Sequence, residues 1–336
     1  MDFTKGIAIN EKRRSIMTGT RTISIVIINY NLADQVRNCV YSLLRFCNPR
    51  EYELILFENG STENSIESLV EELKTNSELN LKFIKSDINL GFGKACNKAV
   101  EHSDSEILFF LNPDTLIEND LISLINSQIV PEIYQRNVIA GLKVNSNLLF
   151  DFSAGYFPNL FFEFLNIFLL GRFFEAFLIK VKTLFTQKPL LTDWVMGSAT
   201  ILRKDLFEKI NGFAPEYFLY FEEMDLCKRT KDLGFEVKYF HNIEVNHLGS
   251  VGSKKNYYFF TKMFYKGKLI FLKKHNTEIK FKLFTFFIRL HFFSQILLWS
   301  ALRIKSKRIS AEKIKAFKEL LKYLNCPEKI SNNFID

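Results

Sequence analysis

Short apolar, β-branched runs alternate along the first half of the chain with stretches whose apolar positions recur every three or four residues. Thr22 to Tyr30, Tyr52 to Phe57, Leu81 to Ile84 and Ile107 to Leu111 read as buried strands. Between them, Val36, Cys39, Val40, Leu43 and Leu44 keep helical spacing. So do Ile66, Leu69, Val70 and Leu73, in a helix that Ser61 or Thr62 can cap. A third helix is expected from about Gly93 to Glu101. This alternation predicts βαβ units and a mainly parallel sheet, an α/β architecture.

In such sheets ligands bind beyond the carboxyl ends of the strands. The four strands run into Asn29-Tyr30-Asn31, Glu58-Asn59-Gly60-Ser61, Asn89-Leu90-Gly91-Phe92 and Asn112-Pro113-Asp114. Each is a turn former by composition, but all four fall on one edge, which makes that edge a candidate site. The stretch after the first strand, Asn29 to Val36, lacks a glycine-rich phosphate loop, and the chain contains no G-x-x-x-x-G-K-[ST]. A carboxylate such as Asp114, holding Mg²⁺ or Mn²⁺ against a diphosphate, is the chemical substitute. Further on, Thr192 to Arg203 reads as a strand with small residues at its centre, where a ligand or backbone can come close. Tyr217 to Arg229 enters a helix through Glu222, Glu223 and Asp225, acids that also suit the positive end of a helix dipole. His247 follows the apolar run Phe235 to Phe240 and is either a structural histidine or a ligand.

These motifs, in this order from about Ile23 to Ser253, resemble the inverting family 2 glycosyltransferases with the GT-A fold, especially the rhamnosyltransferase-like branch of bacterial surface-polysaccharide assembly. The resemblance implies that Asp114 carries the divalent metal on the nucleotide diphosphate and that His247 completes its shell. It places Glu58, where the family usually has Asp, at the nucleotide base. Asn31, Asn89, Gly91 and Asn112 then line the donor. The Glu222–Glu223 pair matches the acids of which the second is the catalytic base, with Asp225 as its rival. Helical spacing sets Arg229 beside Glu222 and Asp225 and leaves Glu223 without a cation. The implied activity is transfer of a sugar from a nucleotide-sugar donor to a glycan or polyprenyl-linked acceptor. Of two rival readings, a nucleotide-sugar pyrophosphorylase needs a basic glycine-rich loop after the first strand, which Asn29 to Val36 is not, and a non-catalytic sugar-nucleotide or membrane-binding module stays as the alternative.

Composition adds one thing to this picture. The chain holds 36 phenylalanines in 336 residues and a net charge of +8 that is unevenly placed. From Lys254 onward 19 Lys and Arg face 5 Asp and Glu, a net +14, which leaves −6 for the rest. A basic, aromatic tail is expected to meet an anionic membrane surface rather than nucleic acid, since its lysines lie among Phe and Leu runs. Leu283 to Leu302 is long enough to span a bilayer but carries Arg289, His291 and Gln295, so it is expected to lie in the interface. The aromatic stretch from Tyr156 to Phe185 is expected to be an interfacial helix or an acceptor-side lid. The five cysteines show no metal-ligand spacing, and Met1 to Arg14 has no signal-like apolar run, which points to a reducing, cytosolic-facing setting. The expected divisions are an extension (1–21), a GT-A domain (22–253, with an aromatic insertion at 156–188) and a helical membrane-interface tail (254–336).

Overall fold

The computed structural model describes residues 23–63, 65–145, 152–247, 256–302 and 307–324. The N-terminal extension and the last residues of the tail therefore lie outside the described residues. Three parallel units come first. They are β1 (Ile23–Asn29) with α1 (Ala33–Phe46), β2 (Tyr52–Asn59) with α2 (Glu67–Leu73), and β3 (Asn80–Ser86) with α3 (Phe92–Val100). β4 (Ile107–Leu111) follows, then the short β5 (Thr115–Leu116). A helix broken by a π-turn, α4 (Leu121–Leu124) and α5 (Val130–Arg136), leads to β6 (Val138–Asn145). Next come β7 (Ala154–Gly155), α6 (Leu160–Ile167), α7 (Gly171–Leu184), β8 (Leu190–Leu191), β9 (Trp194–Val195), β10 (Ala199–Arg203) and α8 (Lys204–Lys209). The chain then passes through α9 (Glu222–Asp232) and β11 (Glu236–His247) into α10 (Tyr257–His275), α11 (Glu278–Ala301) and α12 (Lys307–Leu324).

The main sheet runs β3-β2-β1-β4-β10-β6-β11-β5, with β8 on β11. β1, β2, β3 and β4 are parallel, as the alternation predicts. β10 is antiparallel to both its neighbours, β4 and β6. Along β1, Ile23, Ile25 and Ile27 pack against α1 and α2, while Val26 and Ile28 join the core beneath α3, α8 and α9. This is the period-two division of a sheet buried on both faces. α10, α11 and α12 enclose a core of their own around Leu272, Phe284, Phe292 and Leu320.

Two expectations about elements need correction. α2 starts at Glu67 with Ile66 at its cap position and no side-chain cap. Ser61 is instead consumed by Glu58 and Asn31. The stretch from Thr192 to Arg203 is two strands, β9 and β10, separated by Met196-Gly197-Ser198. β9 pairs with β7 in a separate ribbon, and only β10 enters the main sheet.

Strand register assembles the candidate site. Asn29 stands opposite Glu58, and Asn59 opposite Ser86, at the carboxyl ends of β1, β2 and β3. Because β10 is antiparallel to β4, its amino end meets the carboxyl end of β4, with Ala199 opposite Leu111. The Asn112 N–H accordingly donates to Ser198 O at 2.9 Å. β5 pairs with the end of β11, setting Thr115 opposite His247.

Candidate active site

The loops after β1, β2 and β3 hold one another through side-chain amides and one buried carboxylate. Glu58 is 1 % exposed. It accepts from Asn29 Nδ2 at 2.8 Å, from the Ile66 N–H at 3.1 Å and from the Ser61 N–H at 3.2 Å. A carboxylate so surrounded organises the loop. Asn31 takes a left-handed conformation, φ 57°. Its N–H donates to Ser61 Oγ at 2.9 Å and its Oδ1 accepts from the Glu63 N–H at 2.9 Å. Asn59, which the motif pattern did not single out, ties the third loop: it accepts from the Leu90 N–H at 2.9 Å and donates to Asn89 Oδ1 at 3.1 Å. Asn89 Oδ1 also accepts from the Gly91 N–H. Gly91 has φ 79° and lies against the Phe218 carbonyl, too close for a Cβ, so this position requires glycine.

Asp114 and His247 come from β4–β5 and β11 and meet, with His247 Nε2 3.1 Å from Asp114 Oδ2. Both are largely buried, Asp114 at 8 % exposure. Among the described residues no cluster of three or more His, Cys, Asp or Glu is poised to hold a metal. An adjacent carboxylate and imidazole nevertheless fit a hard divalent ion that takes its remaining ligands from phosphate oxygens and water.

The acids of α9 divide sharply. Asp225 is fully buried and saturated. It accepts from Arg229 Nε at 2.7 Å, His275 Nε2 at 2.7 Å, Lys274 Nζ at 2.9 Å and Tyr217 Oη at 3.3 Å. Burial alone would raise its pKa, but the His275 hydrogen bond, together with Arg229 and Lys274, brings it down to about 2. Among the described residues neither Glu222 nor Glu223 is paired with a cation. The Oε2 atom of each is buried without a hydrogen-bond partner among the described residues. Burial pushes Glu223 up to about 7, and burial together with the neighbouring Glu223 charge lifts Glu222 well above the ordinary carboxylate range. An acid that served only the helix dipole would stay hydrated at the helix end. These two do not.

The backbone leading into them is strained. Tyr220 and Phe221 both have positive φ, 70° and 72°, at a cost of about 1–3 kcal/mol each for a bulky residue. The turn aims Glu223 at the Gly197 bend, where a Cβ on Gly197 would stand 3.4 Å from the Glu223 Cβ. Ser198, next in the chain, holds Asn112. The base candidate and the loop that carries Asp114 thus both meet the Met196–Ser198 bend. The Tyr220 hydroxyl senses the acids of both: burial, then the charges of Glu222, Glu223 and Asp114, raise its pKa to about 12 against the opposing charge of Arg172. The small-residue signal at Met196–Ser198 correctly marks a close approach, and the group that approaches is Glu223. Tyr220, Lys274 and His275 carried no signal of their own, since the two α10 residues join the site across about fifty positions of sequence.

Residues 24–140 match the profile of the family described as Glycosyl transferase family 2. Rhamnosyltransferase WbbL of Escherichia coli (strain K12) is 25 % identical over 235 residues, 67 % of this chain and 84 % of that protein. A poly-beta-1,6-N-acetyl-D-glucosamine synthase of Staphylococcus epidermidis is 31 % identical over 98 residues, a match that covers 29 % of this chain and only 23 % of the synthase. Among solved structures, mannosyltransferase PcManGT from Pyrobaculum calidifontis, in complex with GDP-Man and Mn²⁺, superposes with a TM-score of 0.56. It is 10 % identical, covering 91 % of this chain and 88 % of that one, and the likeness concerns the fold. The architecture is GT-A: a mixed, mostly parallel, curled sheet with flanking helices and three further helices, α10, α11 and α12.

Proposed function

Because the chain carries a family 2 glycosyltransferase domain, we propose that it moves a sugar, with inversion, from a nucleotide-diphosphate donor to a lipid-linked glycan acceptor in bacterial surface-polysaccharide synthesis. The observation that carries this reading is Glu223, half-buried with its Oε2 shielded and without a hydrogen-bond partner among the described residues, set beside the Gly197 bend whose next residue holds the Asp114 loop. Its raised pKa suits a general base, which takes the acceptor hydroxyl proton as the oxygen attacks the anomeric carbon. Such a base contributes ~10²–10⁴-fold. Asp225 keeps α9 in place and takes no part in proton transfer. Asp114 and His247 are the residues that would hold Mg²⁺ or Mn²⁺. A divalent ion held by them would supply positive charge to stabilise the departing diphosphate. Asn31, Asn89, Gly91 and Asn112 shape the donor side of the cleft, and Glu58 stiffens it from within. The name of the relative WbbL makes rhamnose the first donor sugar to test.

The acceptor class follows from the outer surface. α11 is long and apolar enough to cross a membrane by length and composition, yet one face of it is buried. His291 on that face bonds Tyr265 Oη and Asn166 O, and Arg289 donates to Leu324 O. The opposite face exposes Ile279, Leu283, Phe286, Leu290, Phe293 and Leu297. Beside it α6 and α7 expose Phe161, Phe164, Phe173 and Phe177, with Phe164 meeting Phe287 of α11 at 6.3 Å. One continuous apolar surface in a strongly basic region suits a helix lying in the headgroup layer of an anionic bilayer, on the cytoplasmic side where nucleotide-sugars are found. Nucleic acid has no place in this reading.

The test is a screen of nucleotide-sugars, with and without Mn²⁺, against polyprenyl-linked acceptors in anionic vesicles, with products read by mass spectrometry. Transfer that requires the divalent ion is the expected result. Donor binding with no transfer to any acceptor would leave a non-catalytic module.

A further inference from the structure

α10 has one face built against the turn that carries the acids. Phe260, Phe264, Gly267, Phe271 and Lys274 recur on it at helical spacing. The Phe260 and Phe264 rings meet Tyr220 edge-on, with centroids 6.4 and 5.9 Å apart. Phe264 and Phe271 meet Phe221 at 5.3 and 5.9 Å. Between these rings the helix comes down onto backbone: a Cβ on Gly267 would stand 2.5 Å from the Tyr220 carbonyl oxygen and 3.3 Å from the Phe221 Cβ. The last turn of α10 then supplies Lys274 and His275 to Asp225. α10 thus grips α9 on both sides of Glu222 and Glu223, at the left-handed pair before them and at the buried carboxylate after them. Nothing local favours two aromatic residues at positive φ, so the conformation persists only where surrounding packing imposes it.

We infer that α10 is the positioning element of the transfer site, with Gly267 and His275 as positioning residues that fix the direction of the Glu223 carboxylate. The inference rests on the reading of Glu223 as the base. It gives α10 a role in turnover that a tail serving only to anchor the enzyme would not have. The helix also runs through Asn276 and Thr277 into α11, so the element that sets the base is continuous with the one that bears the exposed apolar stripe.

Gly267→Ala is the sharpest test, because alanine is the better helix former and cannot weaken α10 itself. A methyl group there must push the Tyr220 carbonyl away. With donor affinity measured by calorimetry, kcat is expected to fall at least tenfold while the donor Kd holds. The acid limb of kcat/KM should move to lower pH, since a Glu223 released toward water loses the burial that raises its pKa. His275→Leu should move both in the same direction, and His275→Gln, which keeps an N–H donor, should recover part of the loss. A folded Gly267→Ala protein with unchanged kcat and unchanged acid limb overturns the inference, as does a His275 series in which turnover tracks only the melting temperature. Glu223→Gln separates the two levels: if that variant keeps turning over, the assignment of the base fails. If it is dead while Gly267→Ala is normal, only the role of α10 fails.

Discussion

Glu223 and Asp225 lie two residues apart in the first turn of α9, and their surroundings drive them in opposite directions. Asp225, held near 2 by His275, Arg229 and Lys274, favours the folded state when ionised. Its folded pKa lies below the unfolded value of 3.8. The stabilisation is therefore complete above about pH 4 and is lost as the pH falls through about 2, a contribution of about 2 kcal/mol. Glu223 has the reverse sign. Its folded pKa, about 7, lies above the ordinary 4.5, so its ionisation costs stability progressively as the pH rises from about 4.5 to about 7, and the cost is constant above that. Glu223→Gln should accordingly lower turnover ~10²-fold or more, the usual scale for a general base, yet raise the melting temperature at pH 8. The rise should be at least ~1–2 °C, what about 1 kcal/mol gives in a chain of this size, with little change at pH 5. Asp225→Asn should lower the melting temperature at pH 8 and lose that deficit near pH 2. A Glu223→Gln enzyme that is both active and no more stable at pH 8 would show its carboxylate to be solvated. The contrast between the two acids was legible in the sequence only in part: spacing paired Arg229 with Asp225 and left Glu223 alone, but Lys274 and His275 arrive from a helix that no local pattern connects to α9.

At the scale of elements, the parallel half was readable because each strand and each helix carries its own period. β1, β2, β3 and β4 are apolar runs closed by polar turns, and α1 shows its buried stripe of Val36, Cys39, Val40 and Leu43. The antiparallel half was not readable in the same way. β6 pairs with β10 and β11, strands about sixty and a hundred residues further on, and β10 is only Ala199–Arg203. What defines these strands is their neighbours, which a local window does not contain. The same limit hid the use made of Glu58. Its position after β2 marked it as a site residue, whereas three loop groups, Asn29, Ser61 and Ile66, consume its oxygens. Glu58→Gln replaces one of those acceptor oxygens with a donor, and hydrogen bonds to a charged group are worth about 1.5–3 kcal/mol each. The variant should melt earlier and raise the donor KM severalfold through loosened loops, with kcat reduced less. A lowered kcat at unchanged KM would instead place Glu58 in the chemistry.

For the molecule as a whole, the aromatic insertion and the basic tail form one body. Lys268 and Glu163 make a buried ion pair at 2.7 Å between α10 and α6, and His291 of α11 reaches Asn166 O at the end of α6. Deleting the tail would therefore disturb both the insertion and the acid turn, so membrane binding is better tested on the surface stripe. Leu290→Glu with Phe293→Glu, both exposed, should abolish flotation with anionic vesicles while soluble-acceptor turnover persists. Flotation equal to the unaltered chain would point to the phenylalanines of α6 and α7 as the contact. The long reach of α10 back to α9 also orders events during synthesis. At ~5–20 residues per second, the ribosome delivers Glu223 several seconds before His275, and through that interval the turn lacks the helix that grips it. A nascent chain is then expected to hold a nucleotide before it can transfer a sugar. Ribosome-bound chains arrested between residues 247 and 257 should capture nucleoside diphosphate and transfer nothing, with transfer first appearing once residue 275 has emerged. Transfer by the shorter arrested chains would mean that the acids find their direction without α10.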